Sequence, residues 1–245
     1  MALGLITFAF GPCQEISMKY SVLVFGFSVF CMGTANAAML DPATIQPGQF
    51  LPPPPAEGSV AAKAEMKEVN DIIARSSAAE IAAAARDDAD EGPDIFNSAV
   101  GFDVKGRPET LKLLAMVAEE EEGDTKRAKI FFHRKRPWVI DPAVKTCTSE
   151  KLNQVPNSYP SGHASLSYSL GVVLTHVMPE KSQVILARAS EYAEHRLVCG
   201  MHFRSDIVAS QEYGTLLALR LMENPAFMAQ MDKARAELHQ SVAGR

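Results

Sequence analysis

Residues 160–178 read PSGHASLSYSLGVVLTHVM, a turn of small residues followed by an apolar repeat. The apolar side chains recur at spacings of three and four residues: Leu166, Leu170, Val173, Leu174 and Val177. This spacing places them on one face of an α-helix. Pro179 ends the pattern, because a proline pushes the residue before it out of the α region. The sequence therefore predicts a helix over about 164–178.

The rest of the chain shows no convincing strand alternation. Further helices are predicted at about 60–86, 108–122, 128–136, 181–197, 204–223 and 225–240. Two segments lack a helical pattern and are predicted as loops, 97–107 and 141–159. The fold class is therefore predicted as all-α, a compact single-domain helical bundle.

Composition and charge exclude some functions. The chain has 245 residues, 47% of them hydrophobic, and a formal net charge of −5. This is a globular composition, and one domain is expected at this length. The mildly acidic charge offers no surface for a polyanion, so no nucleic-acid binding is expected.

The first forty residues differ from the remainder. Lys19 precedes an apolar run from Val22 to Met32, and the sequence GTANAA follows. This order is typical of a cleaved secretory signal peptide, predicted as residues 1–37 with Met18 as the true start. The run is shorter than a membrane span of about 20 residues, although an uncleaved anchor is the alternative. The mature protein is expected in the periplasm, without stable membrane insertion.

Two features follow the predicted signal. Residues 38–56 contain Pro52–Pro55 and are predicted as an extended Pro-rich strap, because proline fixes φ and donates no hydrogen bond. The helical domain then occupies 57–245. Loss of the signal leaves Cys147 and Cys199, which export would allow to pair. The sequence leaves a disulfide and two free thiols equally open.

Lys129 and Arg136 are the first candidate phosphate ligands. They are about two helical turns apart, so a continuous helix would place both on one face. Arginine offers a bidentate fork to phosphate oxygens, and lysine offers a point charge. The alternative is a solvated basic face that includes Arg127, Arg134 and Lys135.

The segment Pro160–His163 stands just before the predicted 164–178 helix. Small residues let backbone N–H groups turn towards an anion at a helix N-terminus. Ser161 can donate its hydroxyl, and His163 stands where it can protonate a leaving oxygen. Ordinary N-capping by Ser161 is the alternative.

Arg196, His202 and Asp206 form the third segment. His202 and Asp206 lie on one face if a helix begins near Met201. A carboxylate that accepts from one imidazole nitrogen fixes the tautomer and leaves the other nitrogen to attack. Gly200 is expected to break the helix, so that Arg196 and His202 point into one pocket. The alternative is a weakly stabilising surface pair.

Together the segments read Lys-x6-Arg-Pro, Pro-Ser-Gly-His and Arg-x5-His-x3-Asp, in that order. This combination resembles the signature of the type 2 phosphatidic-acid phosphatase and vanadium haloperoxidase superfamily. The chain is more closely similar to its class A bacterial nonspecific acid phosphatases. That similarity covers roughly residues 45–240 and extends to four further segments: Leu51–Pro55, Ser158–His163, Val198–Gly200 and Asn224–Phe227.

The resemblance implies a metal-independent hydrolysis of phosphomonoesters in two steps, without a cofactor. It implies that His202 attacks phosphorus to form a phosphohistidine, that Asp206 orients His202, and that His163 protonates the leaving alkoxide and then activates water. The residues implied to hold the phosphoryl oxygens are Lys129, Arg136, Ser161, Gly162 through its N–H, and Arg196. The expected partners are small phosphomonoesters, and the oligomeric state stays open, a homo-oligomer included.

Other interpretations remain. A vanadate-dependent haloperoxidase would use the same superfamily pocket, although the mature chain is short and phosphatase-like. A non-catalytic phosphate-binding protein would need a broken nucleophile or acid, whereas His202 and His163 are both present. The same phosphohistidine permits phosphotransfer when an alcohol replaces water. His195 stands where the family usually has serine, and it is expected either to alter the phosphate affinity or the pH optimum or to point into solvent.

Overall fold

The protein is built from helices in the part of the chain that the structure describes. The structure is a computed structural model that describes residues 39–148 and 155–243. Within these ranges it contains no strand, and the longer helices are α1 Val60–Arg75, α2 Ala78–Asp88, α3 Pro108–Phe132, α4 Gly162–Val177, α5 Ser182–Val198, α6 Arg204–Leu221 and α7 Pro225–Ala243. The all-α prediction is confirmed.

Helix α4 lies at the centre of the fold and packs against α3, α5 and α6. Burial of α4 extends beyond the face that carries the apolar repeat, because Ser165, Ser167 and Ser169 are buried as well. The Ser167 hydroxyl is accommodated by donating to the carbonyl of Ala189 at 3.0 Å. Gly214 lets α6 cross closely, since a Cβ there would lie 2.4 Å from the Ser165 carbonyl oxygen.

The apolar core joins the helices that carry the three motif segments. Its fully buried members on α3, α4 and α6 include Leu113, Leu114, Val117, Leu170, Val173, Leu174, Leu217 and Leu221. Each buried leucine or valine contributes about 2 kcal/mol relative to an exposed one. This packing fixes the helix ends from which the candidate site is built.

The predicted helix over 60–86 is wrong, because it divides into α1 and α2 at two serines. The Ser76 hydroxyl donates to the Ile72 carbonyl at 2.8 Å. Ser77 caps α2: its hydroxyl accepts from the Glu80 N–H at 3.2 Å, and the Glu80 carboxylate accepts from the Ser77 N–H at 2.7 Å. This capping box satisfies helix-end groups that a continuous helix would have paired internally.

The predicted helices 108–122 and 128–136 are also wrong, because α3 is continuous and ends at Phe132. Residue 122, the predicted end of the first of these helices, lies inside α3, where Glu121 is buried and accepts a hydrogen bond from Thr125. His133 ends the helix in the left-handed conformation, with φ 51°. Arg136 therefore lies beyond α3.

The predicted strap lies against the helices over its described residues. Leu51 is buried, the Tyr159 hydroxyl donates to the Pro52 carbonyl at 2.6 Å, and the Asn224 amide donates to the Met39 carbonyl at 3.0 Å. It is not extended throughout, because short helical turns occupy Pro42–Thr44 and Pro47–Phe50. Apolar burial of Leu51 and the helix-compatible φ of proline explain these turns.

Short helical turns also interrupt the predicted loop over 97–107, at Asn97–Val100 and Val104–Gly106.

In residues 39–148 and 155–243, no helix combines the length and apolar content needed to cross a bilayer. The predicted signal peptide, residues 1–37, lies outside the described residues.

Candidate active site

Side chains from all three motif segments meet at one cavity of about 380 Å³. Its lining includes six of the predicted site residues: Lys129, Arg136, Gly162, His163, Arg196 and His202. Ser161 and Asp206 are not among the described lining residues, but each contacts one of the elements that form the wall. The structure therefore brings together segments that are far apart in the chain.

Lys129 and Arg136 reach the cavity by different routes. Lys129 lies in the last turn of α3, whereas Arg136 follows the left-handed residue His133 and precedes a helical turn, Pro137–Ile140. The predicted shared helix face is therefore wrong, and the reversal after α3 brings Arg136 to the cavity that Lys129 lines from the helix. Burial and the neighbouring Arg136 lower the pKa of Lys129 to about 8.

Arg136 is buried and has three hydrogen-bond partners. Its Nε donates to the Asn157 side chain at 2.8 Å, and its Nη1 lies 3.1 Å from both the Met201 carbonyl oxygen and His202 Nε2. Burial and the nearby Arg196 lower the pKa of Arg136 to about 10. The guanidinium therefore stays charged at neutral pH beside the imidazole.

His202 lies in the turn between α5 and α6. Gly200 has φ 62°, and a Cβ there would lie 2.4 Å from the Lys145 carbonyl oxygen, so this reversal requires glycine. His202 Nδ1 lies 3.2 Å from Asp206 Oδ2. Because the Arg136 guanidinium can only donate, Nε2 is the acceptor and Nδ1–H donates to Asp206. Burial, then Arg136, hold the pKa of His202 well below its ordinary value.

Asp206 is held as a carboxylate by several donors. It is the third residue of α6, which begins at Arg204 and not near Met201, so the predicted helical pairing with His202 is corrected to a contact across the capping turn. Oδ2 accepts from the Phe203 N–H at 2.9 Å and from the Ser158 hydroxyl at 2.6 Å. Burial raises the pKa of Asp206, and these donors oppose that rise.

Arg134 also holds Asp206, although a solvated basic face was the alternative that the sequence offered for it. Its Nη1 donates to Asp206 Oδ1 at 2.6 Å and to the Ser205 hydroxyl at 2.7 Å, while Nη2 binds Glu65 at 2.6 Å. The guanidinium lies over the Phe203 ring, 4.2 Å from its centroid. The one feature of the sequence that could have indicated a role near the site is its position two residues before Arg136.

The N-terminus of α4 presents Ser161, Gly162 and His163. The Ser161 hydroxyl accepts from the Ala164 N–H at 3.4 Å, as an N-cap does. A Cβ at Gly162 would lie 3.2 Å from Lys129 Nζ, so glycine leaves room for the ammonium. This geometry places backbone N–H groups and a cation side by side.

His163 is held on both edges of its ring. Nδ1 lies 2.9 Å from Glu91 Oε1, and Nε2 lies 3.3 Å from the Asp88 carbonyl oxygen. The ring stacks on Tyr192 with centroids 5.7 Å apart. Burial, then Arg196, lower the pKa of His163, while Glu91 opposes the change.

Arg196 is almost fully buried and forms an ion pair with Asp88. Its Nε has no hydrogen-bond partner among the residues that the structure describes. A buried N–H without an acceptor lowers the stability of the folded protein, because it has lost its hydrogen bonds to water. Because Arg196 lines the cavity, an anion placed there would satisfy it.

His195 does not point into solvent. Its Nδ1 lies 2.6 Å from Asp87 Oδ2, and Arg188 Nη2 binds the same carboxylate at 2.7 Å. Burial favours neutral Asp87, but the bonds from His195 and Arg188 outweigh it and lower the pKa of Asp87 to about 2. His195 is absent from the described lining of the cavity, so its contact supports α2 against α5.

Two further findings concern metal ions and the cysteines. Among the described residues, no group of three or more His, Cys, Asp or Glu side chains is arranged to hold a metal ion. A disulfide joins Cys147 to Cys199, which directly precedes the Gly200 turn.

Comparison with known proteins agrees with the site. A family model described as the PAP2 superfamily matches residues 111–228, a range that contains all eight predicted site residues. A non-specific acid phosphatase of Providencia stuartii is 33% identical over 197 residues, which cover 77% of this chain and 79% of that protein. A non-specific acid phosphatase of Salmonella typhi is 30% identical over 236 residues, which cover 91% of this chain and 94% of that protein.

The three cations and the two histidines of the cavity lie within the matched range and follow the motif order, and the similarity extends over most of the chain. The protein therefore belongs to the PAP2 superfamily and, within it, to the non-specific acid phosphatases.

Proposed function

We propose that this acid phosphatase hydrolyses phosphomonoesters through a phosphohistidine on His202, without a metal ion. The observation that carries the proposal is that His202, whose Nε2 lies 3.1 Å from Arg136 Nη1, lines one cavity with Lys129, Arg136 and Arg196. Three cations around one imidazole suit an anionic ester, because phosphoryl transfer depends mainly on positioning and charge neutralisation.

The first step forms one bond and breaks another. His202 Nε2 attacks phosphorus as the P–O bond to the leaving group breaks, and His163 gives its proton to the departing oxygen. His202 Nδ1–H continues to donate to Asp206, which favours the positive charge that develops on the imidazole. The low pKa of free His202 supports this role, because the neutral ring is the nucleophile.

The second step regenerates the enzyme. His163, now neutral, takes a proton from water as the water oxygen attacks phosphorus and the P–N bond breaks. Lys129, Arg136 and Arg196 hold the phosphoryl oxygens, together with the Gly162 N–H. The Ser161 hydroxyl caps α4 through its oxygen and can still donate its proton to a phosphoryl oxygen. An alcohol in place of water would give phosphotransfer.

Export to the periplasm is part of the proposal. It rests on the signal-like order of residues 1–37 and on the Cys147–Cys199 disulfide, which is typical of an oxidising compartment. Edman sequencing of protein recovered from the periplasm tests it, with Ala38 as the expected first residue. An intact Met1 or Met18 contradicts the proposed processing.

A phosphatase assay across pH with excess EDTA tests the chemistry. We expect p-nitrophenyl phosphate hydrolysis to survive chelation, and His202→Ala to lose at least about 10³-fold in kcat. The exposed His239→Ala is the matched control and is expected to stay active. Acid-labile ³²P retained on the wild type and absent from His202→Ala would identify the intermediate, whereas phosphate bound without a covalent species contradicts it.

A further inference from the structure

Both histidines of the site have a carboxylate at Nδ1. Asp206 lies 3.2 Å from His202 Nδ1, and Glu91 lies 2.9 Å from His163 Nδ1. Asp206 belongs to the motif, but Glu91 lies outside residues 111–228, the range of the family model. None of the three motif segments includes Glu91.

The backbone around Glu91 is held in place, although its side chain is exposed. Helix α2 ends at Asp88, whose carboxylate pairs with Arg196. The Asp90 carbonyl accepts from the Tyr192 hydroxyl, and the Asp90 side chain accepts from the Gly92 N–H at 2.9 Å. Glu91 therefore reaches His163 from an anchored segment that does not depend on its own side chain.

The second ring nitrogen of His163 contacts Asp88, which lines the cavity together with His163 itself. With Nδ1 donating to Glu91, the proton that His163 can transfer lies on Nε2, whose other contact is the Asp88 carbonyl at 3.3 Å, at the long end of the hydrogen-bond range. His163, Glu91, Lys129 and Gly162 line both the 380 Å³ cavity and an adjoining cavity of about 620 Å³. His163 thus stands where a leaving group would pass from one cavity to the other.

The charges around His163 oppose one another. The cations Arg196 and Lys129 line the same cavity and disfavour a second positive charge, while the Glu91 carboxylate contacts the ring and the Asp88 carboxylate pairs with Arg196. The pKa of Glu91 is lowered, first by its hydrogen bond with His163, so the carboxylate is ionised at acidic pH. Glu91 is the one of these groups that both carries negative charge and contacts the ring directly through its side chain.

We propose that Glu91 is a positioning residue for His163, which holds the ring with Nε2 towards the leaving oxygen and favours the imidazolium that donates the proton. The inference rests on the proposed role of His163. Glu91 exchanges no proton: its carboxylate keeps the Nδ1–H bond while Nε2 gives its proton to the alkoxide and later takes one from water.

Leaving groups of different basicity separate this role from a structural one. An alkyl phosphate needs its leaving oxygen protonated, whereas p-nitrophenolate leaves without help. For Glu91→Gln and Glu91→Ala we expect kcat/KM for ethyl phosphate to fall by about tenfold or more. We expect kcat/KM for p-nitrophenyl phosphate to change less than about threefold, because this constant reports only steps up to release of the phenolate.

The matched control is Glu122→Gln, at an exposed residue that lines the adjoining cavity. It removes the same charge without touching His163. We expect this variant to keep the wild-type ratio of kcat/KM for ethyl phosphate to kcat/KM for p-nitrophenyl phosphate. His163→Ala is the reference. In one outcome, His163→Ala lowers kcat/KM for ethyl phosphate more than kcat/KM for p-nitrophenyl phosphate, and Glu91→Ala does not. The Glu91 inference is then overturned and the phosphatase mechanism stands. If His163→Ala shows no selective loss, the proposed role of His163 itself is wrong.

The pH profile gives a second readout. Loss of the Glu91 charge should move the alkaline limb of kcat/KM for ethyl phosphate to lower pH, since the imidazolium then loses its proton more readily. The inhibition constant of inorganic phosphate should stay within about twofold, because Glu91 is not proposed to hold phosphoryl oxygens. An unmoved limb, or an equal loss with both substrates, contradicts the proposal.

Discussion

Arg134 Nη1 donates a 2.6 Å hydrogen bond to Oδ1 of Asp206, while the other oxygen of that carboxylate faces His202 Nδ1. The candidate nucleophile is therefore held by a chain of contacts that runs from Glu65 through Arg134 to Asp206. A buried carboxylate without this cation would gain a proton and would no longer favour the imidazolium. Arg134 thus supports the site without lining its cavity.

Replacement of Arg134 should lower the stability of the folded protein. Arg134→Met removes one partner of a buried pair, so we expect the unfolding free energy to fall by about 3–5 kcal/mol. Lys135→Met, which breaks an exposed pair with Glu57, should change it by less than about 1 kcal/mol. Urea denaturation measures both, and equal small effects would contradict the buried-network interpretation.

Phosphate affinity should depend on the charge of Lys129. Because burial and Arg136 lower its pKa to about 8, the ammonium is lost above that pH. We expect the inhibition constant of inorganic phosphate to rise by about tenfold between pH 7 and pH 10. Lys129→Arg keeps its charge and should flatten this rise. If the inhibition constant rises equally in the wild type and in Lys129→Arg, the pH dependence belongs to a group other than Lys129.

Glu121 should make stability depend on pH. Burial raises its pKa from 4.5 to about 8, so between these values the folded protein holds a proton that the unfolded chain releases. The unfolding free energy should therefore fall as pH rises through this window, by up to about 1.4 kcal/mol per unit. Glu121→Gln should reduce the fall and the exposed Glu122→Gln should not, as chemical denaturation at pH 5 and pH 8 would show.

The Cys147–Cys199 disulfide closes a loop over a sequence separation of 52 residues. In the chain-entropy model, its loss lowers the unfolding free energy by about 4 kcal/mol. Urea denaturation of the Cys147→Ser/Cys199→Ser protein measures this, with the wild type treated with and without reductant for comparison. Reductant should have no effect on the double variant, and a wild type equally insensitive to reductant would show that the disulfide is not formed.

His195→Ser should leave the pH profile of hydrolysis unchanged, since His195 binds Asp87 and not the cavity. Stability should change instead. Because the pKa of Asp87 is lowered to about 2, its carboxylate stabilises the folded protein above pH 3.8, and this stabilisation is lost as the pH falls towards 2. The His195→Ser variant removes one of the two side chains, His195 and Arg188, that lower this pKa, so part of the stabilisation should disappear. Thermal unfolding at pH 5 should show a lower midpoint. A shifted activity profile with unchanged stability would contradict this assignment.

Local sequence patterns were sufficient for much of the fold. The apolar spacing in 160–178 predicted α4, and the bounds of α5, α6 and α7 lie within a few residues of the prediction. Capping serines and the left-handed His133 were not foreseen, so α1 and α2 were joined and α3 was divided. Such boundaries depend on a few hydrogen bonds and on burial, which helical propensity does not contain.

The sequence by itself determined the helical class, the order of the three motif segments and the residue types able to bind and attack a phosphoryl group. Tertiary structure decided how those residues meet: Arg136 arrives after a chain reversal, Asp206 meets His202 across a capping turn, and Glu91 reaches His163 from the end of α2. Motif chemistry is carried by residue identity and short spacing, which a chain displays directly. Contacts such as Arg134–Asp206 join residues 72 positions apart, and only packing of the helices sets them.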